Sequence, residues 1–217
     1  MNNINKNFWE EYYKSTDVLN NYSSFANFVY TNYIRHYNDD NIYLKIADLG
    51  CGNCNDSLLF SKKGNISYAI DINSNIIPDC SNCIFLNGDV KEIINVYNFN
   101  TLFDIIYMRW FLHAMPYNES YKIFKDSIKH LNQNGLICVE VRSLNDIKLK
   151  EISIYNENDK SFTSTHSRWL YTQEMCKKLA IDNNCEIIYC EEGYFSLNEN
   201  TETQNPLLIR VIFKKMI

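Results

Sequence analysis

Apolar positions along this chain change their period near residue 42. Before it, aromatic residues recur at near-helical spacing: Phe8, Trp9, Tyr12 and Tyr13, then Phe25, Phe28, Val29 and Tyr33. This predicts two short helices with a break near 20–24. After it come short apolar runs: IYLKIADL (42–49), SYAIDI (67–72), CIFLNG (83–88), FDIIYM (103–108), GLICVEV (135–141), CEIIYCEE (185–192) and LLIRVIFKK (207–215). Helical spacing fills the intervals at about 53–63, 74–78, 91–96, 118–132 and 171–183. Alternation of this kind predicts a mainly parallel sheet of seven strands covered by helices on both faces. The last two runs are joined by NENTETQN rather than a helix. That connection is a hairpin and makes the final strand antiparallel. Residues 143–167 are polar, without a strong period, and long enough for a functional loop or lid. No repeat or linker divides the chain, so 1–217 reads as a single domain.

The first strand runs into ADLGCGNCNDSLLF (47–60). Gly50 and Gly52 let backbone approach a ligand closely. Asn55 stands where a dinucleotide-binding G-x-G-x-x-G loop has its third glycine, so a pyrophosphate is not implied. Asp71 ends the second strand; 71 − 50 = 21 residues past Gly50, it suits a carboxylate on ribose hydroxyls. Asp89 ends the third strand, where it faces an adenine amino group or caps the next helix. With Asp48 in the loop, these acids repel a polyphosphate and suit a ligand with ribose, adenine and positive charge. S-adenosyl-L-methionine has all three.

DLGCGNCND, YAIDINSN, LNGDV and FDIIYMRWFLHAM, in that order, resemble the successive motifs of class I S-adenosylmethionine-dependent methyltransferases. The resemblance is good over 43–142 and looser elsewhere. It implies a three-layer αβα Rossmann-like sheet with a reversed last strand, an N-terminal helical lid over 1–40, a cofactor-binding half over 42–142, and an acceptor loop with the C-terminal strands over 143–217. It also implies Gly50, Cys51 and Gly52 under the methionine part, Asp71 on the ribose and Asp89 on the adenine. Asp48, Ile72, Val90 and Met108 complete that expected site, with Trp9 and Tyr13 as lid rings beside the sulfonium. S-adenosyl-L-homocysteine is the implied product. NFWEEYYK, SSFANFV and THSRWLYTQEM are similar to smaller bacterial members that methylate small metabolites, some in surface-glycan biosynthesis, others in thiol or metalloid detoxification.

The acceptor is expected beyond the fourth strand. His113 and His166 are the candidate bases, since imidazole titrates near neutral pH. Tyr12, Arg109, Arg142 and Arg168 are candidate substrate contacts. Arg109 lies among apolar neighbours and needs a partner, either Glu140 or an anionic substrate. The chain has only five arginines, and three of them map to the ligand edge, which suits a phosphate or carboxylate on a small-molecule acceptor. The transfer is expected to be metal-independent and O-methylation is favoured.

Other readings rest on thinner features. Cys51-x-x-Cys54 and Cys80-x-x-Cys83 suggest zinc, but the interval between the pairs is wide and the first pair straddles the glycine loop. Eight cysteines in a chain with no secretory leader or membrane span read as free thiols in a cytoplasmic protein. A net charge of −5 argues against a nucleic-acid partner, and no N-P-P-[YF]-type tetrapeptide follows the fourth strand. A nicotinamide oxidoreductase is disfavoured by Asn55 and Asp89. A non-catalytic cofactor-binding subunit keeps the 50–89 features without an acceptor pocket. The expected assembly is a monomer or homodimer.

Overall fold

A computed structural model describes residues 5, 7–9, 11, 22–72, 78–96, 102–195 and 205–216. Its sheet contains β1 (Lys45–Leu49), β2 (Ile66–Asp71), β3 (Cys83–Asn87), β4 (Phe103–Arg109), β5 (Leu131–Arg142), β9 (Cys185–Tyr194) and β10 (Leu207–Lys215) in the order β3-β2-β1-β4-β5-β10-β9. Strands β1 to β5 pair in parallel. β10 runs antiparallel to both β5 and β9, as the missing helix before it predicts. Strand order reverses between β1 and β4, and the carboxyl ends flanking such a switch form a crevice.

Both faces of the sheet are apolar because alternate residues of one strand serve opposite layers. Ile105 and Tyr107 of β4 pack with Ile46, Cys138 and Ile212 under α1 (Ser24–Val29) and α3 (Asn55–Lys62), through Phe25, Val29 and Phe60. Ile106 and Met108 pack with Ala47, Val139 and Val211 under α4 (Val90–Val96), α5 (Tyr117–Lys129) and α7 (Gln173–Asp182), through Ile93, Phe124 and Leu179. The result is the expected three layers. Ser23 caps α1 by accepting from the Ala26 N–H. The helix continues through a π-helical turn (Tyr30–Ile34) into α2 (Arg35–Asp39).

Two segments differ from expectation. The helix predicted to 132 stops at Lys129, and β5 begins at Leu131, which pairs with Phe103 ahead of an irregularity in register. Leu131 is fully buried; an apolar residue there satisfies either element, so its period does not decide. The polar stretch 143–167 is not a plain loop. It contains α6 (Ile147–Glu151) and a small antiparallel sheet of β6 (Ile154–Asn156), β7 (Ser161–Thr163) and β8 (Ser167–Arg168). Elements of two to five residues are too short to show a period, and tertiary bonds hold them. The Trp169 indole N–H, for example, donates to Asp159 O at 2.8 Å. The helix predicted at 74–78 falls almost wholly outside the described residues. Among the described residues no helix is long and apolar enough to cross a membrane.

Candidate active site

The turn after β1 is built from alternating left-handed residues: Gly50 at φ +75°, Gly52 at φ +55° and Cys54 at φ +61°. A Cβ on Gly50 would sit 2.4 Å from the Phe111 ring, so this position needs glycine for space as well as for conformation. The N–H groups of the turn are used within the protein. Gly50 and Cys51 donate to Ile70 O, Cys54 to Cys51 O, and Gly52 to Asp71 Oδ2 at 2.9 Å. A phosphate cradle needs such groups aimed at the ligand; here they lash the turn to the end of β2.

Asp71 therefore holds the loop and stands at the strand tip where a ribose is expected. Asp48 is buried and accepts from Ser57 Oγ at 2.5 Å. Burial, then the neighbouring Asp56 carboxylate, pushes its carboxyl up to about 8. A cation placed against it would relieve both costs. Asp89 Oδ1 accepts from the Lys91 N–H at 2.9 Å, so it caps α4. Val90 and Met108 are buried in the core, whereas Ile72 is exposed. The thiols of Cys51 and Cys54 lie 3.5 Å apart, and burial raises the Cys51 pKa well above its ordinary value. Cys80 and Cys83 pack in the same small cluster, but no grouping of three or more metal-ligating side chains occurs among the described residues.

Across the switch point the charges change sign. Arg109 at the tip of β4 finds the expected partner, with its Nε 3.3 Å from Glu140 Oε1, and lies 4.3 Å from the Trp110 ring. Trp110 holds φ +55°, a conformation rare for a bulky residue and typical of constrained functional segments. Arg142 at the tip of β5 is buried beside Asp146, Nε to Oδ2 at 3.3 Å. Arg168 in β8 is buried with Nη1 donating to Ser164 Oγ at 2.9 Å.

The two expected bases sit among these arginines. His113, in a 3-10 turn (Leu112–Ala114), is buried, and its Nδ1 accepts from the Arg142 backbone N–H at 3.1 Å. Burial, then Arg168, Arg142, His166 and Arg109, holds its pKa well below the ordinary imidazole value. His166 Nδ1 lies 3.2 Å from Arg168 Nη2. Burial, with Arg168 and Arg142, lowers its pKa to about 2.

The described residues at 5, 7–9 and 11 are helical, and three of them touch this group of side chains and its backbone. Phe8 stacks on His166 at 4.0 Å, and Trp9 lies 5.0 Å from the same ring. Asn5 is fully buried; its Nδ2 donates to Ala114 O and Ser167 O at 2.9 Å each, and its Oδ1 accepts from the Ser167 N–H at 3.0 Å. Tyr12 and Tyr13 lie outside the described residues.

Several site-forming residues carry no motif. Asp56 accepts from Ser23 N and Oγ (2.6 and 2.7 Å) and from Tyr107 Oη at 2.8 Å, joining α1, α3 and β4. Arg210 Nε donates to Glu140 Oε2 at 2.7 Å, and its Nη2 donates to Ser24 Oγ at 2.8 Å. Their one legible signal was charge in apolar surroundings, as with RVIF in β10.

Residues 47–139 match a family model described as a methyltransferase domain. No curated protein matches the chain. A SAM-dependent methyltransferase from Methanosarcina mazei superposes with TM-score 0.61 at 19% identity, covering 81% of this chain and 93% of that one. The 1,6-didemethyltoxoflavin-N1-methyltransferase of Burkholderia thailandensis, solved with 1,6-didemethyltoxoflavin and S-adenosylhomocysteine, gives 0.68 at 11% identity over 99% and 88%. The magnesium protoporphyrin IX methyltransferase of Synechocystis, solved with S-adenosylhomocysteine, gives 0.63 at 12% over 99% and 95%. At these identities the likeness is one of fold.

Proposed function

We propose, on the premise that this chain is a class I S-adenosylmethionine-dependent methyltransferase by domain and fold, that it methylates a small anionic metabolite. The observation that carries the substrate class is the change of charge across the switch point. Acids stand at the tips of β1 and β2, and arginines at the tips of β4 and β5 with Arg168 beside them.

The residues on the acidic side fit the cofactor. Asp48 is a buried carboxyl that a cationic ligand would stabilise, and Asp71 ends β2 where hydroxyls are expected. When bound, S-adenosylmethionine supplies an activated methyl on a sulfonium. The protein's own contribution is alignment: the lashed turn fixes one reactant, the arginines fix the other, and Phe8 and Trp9 exclude water. Holding two reactants in attack geometry contributes on the order of 7–11 kcal/mol. Arg109, Arg142 and Arg168 orient the anionic group; a phosphorylated or nucleotide-linked precursor in surface-glycan biosynthesis belongs to this class. The neighbours from Burkholderia and Synechocystis, named for small-molecule acceptors, support a small acceptor here too.

Calorimetric titration with S-adenosylhomocysteine tests the premise, and methyl uptake by a screen of anionic and neutral metabolites tests the acceptor class. Binding without preference for anions would remove the proposed substrate class and leave the cofactor.

A further inference from the structure

A methyl acceptor that arrives as a neutral alcohol gives up a proton to a base during transfer, and a neutral amine becomes a cation that the neighbouring Arg109, Arg142 and Arg168 oppose. Every carboxylate at the ligand edge with a bond recorded above already faces a donor. Asp48 accepts from Ser57, Asp71 from Gly52, Asp56 from Ser23 and Tyr107, and Asp89 from Lys91. Glu140 is shared by Arg109 and Arg210, and Asp146 by Arg142 and the Leu149 N–H.

The histidines are engaged in the same sense. A backbone N–H can only donate, so His113 Nδ1 is the acceptor of the Arg142 N–H and the ring proton sits on Nε2. His166 Nδ1 meets two groups at 3.2 Å, the Thr165 hydroxyl, which can donate or accept, and the Arg168 guanidinium, which only donates; the guanidinium makes Nδ1 the acceptor and puts the ring proton on Nε2. No described residue accepts from either Nε2. His166 is further held between Phe8 and Trp9. The groups facing these rings from the 3-10 turn, β4, β5 and β8 are Arg109, Arg142 and Arg168 together with each other's imidazole. None of these accepts a proton readily, and the cations oppose protonation of either ring.

Resting on the methyltransferase reading, we infer that the acceptor presents its nucleophilic atom already ionised (a carboxylate, or an enol, phenol or ring N–H acidic enough to be an anion near neutral pH), and that His113 and His166 bind it as N–H donors. The anion's lone pair forms the new bond to the methyl carbon, the carbon–sulfur bond breaks with its pair returning to sulfur, and one negative and one positive charge cancel. No proton moves, so no base is required. An acceptor with a spectator phosphate but a neutral hydroxyl nucleophile does not satisfy this site.

Nitrogen-15 imidazole spectra of the protein saturated with S-adenosylhomocysteine decide the donor role without an acceptor in hand. Two rings, assigned with His113→Gln and His166→Gln, remain neutral Nε2–H tautomers between about pH 5 and 8, where an ordinary imidazole titrates. Either ring titrating in that window, or carrying its proton on Nδ1, overturns the inference. Tritiated methyl from the cofactor, followed into a small-metabolite extract of cells, then identifies the acceptor. An acidic parent compound supports the inference and a neutral parent overturns it. With that acceptor, His113→Leu lowers kcat/KM about ten- to a hundred-fold, the scale of a lost hydrogen bond to a charged group, while His113→Gln, which keeps an N–H donor, restores most of it. Equal losses in both variants sink the donor role. Absence of S-adenosylhomocysteine binding would instead sink the underlying reading, and heat of binding with a titrating ring would sink only this step.

Discussion

On the β1–β2 side of the switch point the carboxylates hold neutral donors: Asp71 ties down the Gly52 N–H, and Asp48 takes the Ser57 hydroxyl. On the β4–β5 side the charges hold each other: Arg109 and Arg210 share Glu140, and Arg142 faces Asp146. The first arrangement fixes a loop and holds a buried carboxyl that a nearby cation would ionise. The second keeps buried arginines tolerable, because an isolated buried charge costs several kcal/mol. In the function proposed above, one sheet edge serves two oppositely charged reactants, and each side can be damaged separately.

Glu140→Gln attacks the basic side where it is most deeply built. It leaves two arginines without their shared carboxylate, and denaturant unfolding should show a loss of about 3–5 kcal/mol. Asp71→Asn attacks the acidic side. Affinity for S-adenosylhomocysteine, read by calorimetry, should fall about ten- to a hundred-fold, since a charged hydrogen bond contributes roughly 1.5–3 kcal/mol. Arg168→Gln sharpens the contrast: KM for the acceptor should rise about ten-fold, the scale of one weakened charged contact, while cofactor affinity stays within two-fold of wild type. A matching fall in cofactor affinity would mean that the two sides are not independent.

The pH responses have opposite signs on the two sides. Asp48 titrates near 8 in the folded protein against 3.8 for the free group. Between those values the folded state binds more protons than the unfolded one. Its contribution to stability is therefore full below about pH 4 and is lost as pH rises toward 8, by at most about 1.4 kcal/mol per pH unit. Asp48→Asn should flatten that limb, and binding of the cationic cofactor at pH 7 should release a fraction of a proton, visible as buffer-dependent heat. His166 is depressed, so the unfolded state binds the extra proton, and stability falls as pH drops below about 6.5. His166→Phe should flatten the acid limb.

The sheet was legible because strands buried on both faces read as unbroken apolar runs. The glycine turn was legible because a close-approach loop follows the first strand of a βαβ unit, and Asp71 was legible as the acid that ends the second strand. Arg109 advertised a partner by sitting charged among apolar neighbours, and Glu140 is found there. What stayed hidden joins distant positions. Ser23 reaches Asp56 across 33 residues, and Arg210 reaches Ser24 across 186. No local period records such a pairing. The surroundings of His113 and His166 were hidden for a related reason. Whether an imidazole gives or takes a proton depends on what meets its Nδ1, and that is set by β5 for one ring and by β8 for the other.

Asn5 has a consequence for how the protein ages. Its amide gives two hydrogens to the carbonyl oxygens of Ala114 and Ser167, in the 3-10 turn and β8, and takes one from the Ser167 N–H. Spontaneous deamidation would swap the double donor for an anion facing those same oxygens, driving the amino-terminal cover off its seat. Stored preparations would then lose turnover through a one-dalton mass change while the core sheet stayed intact, and intact-mass spectra would track the decline.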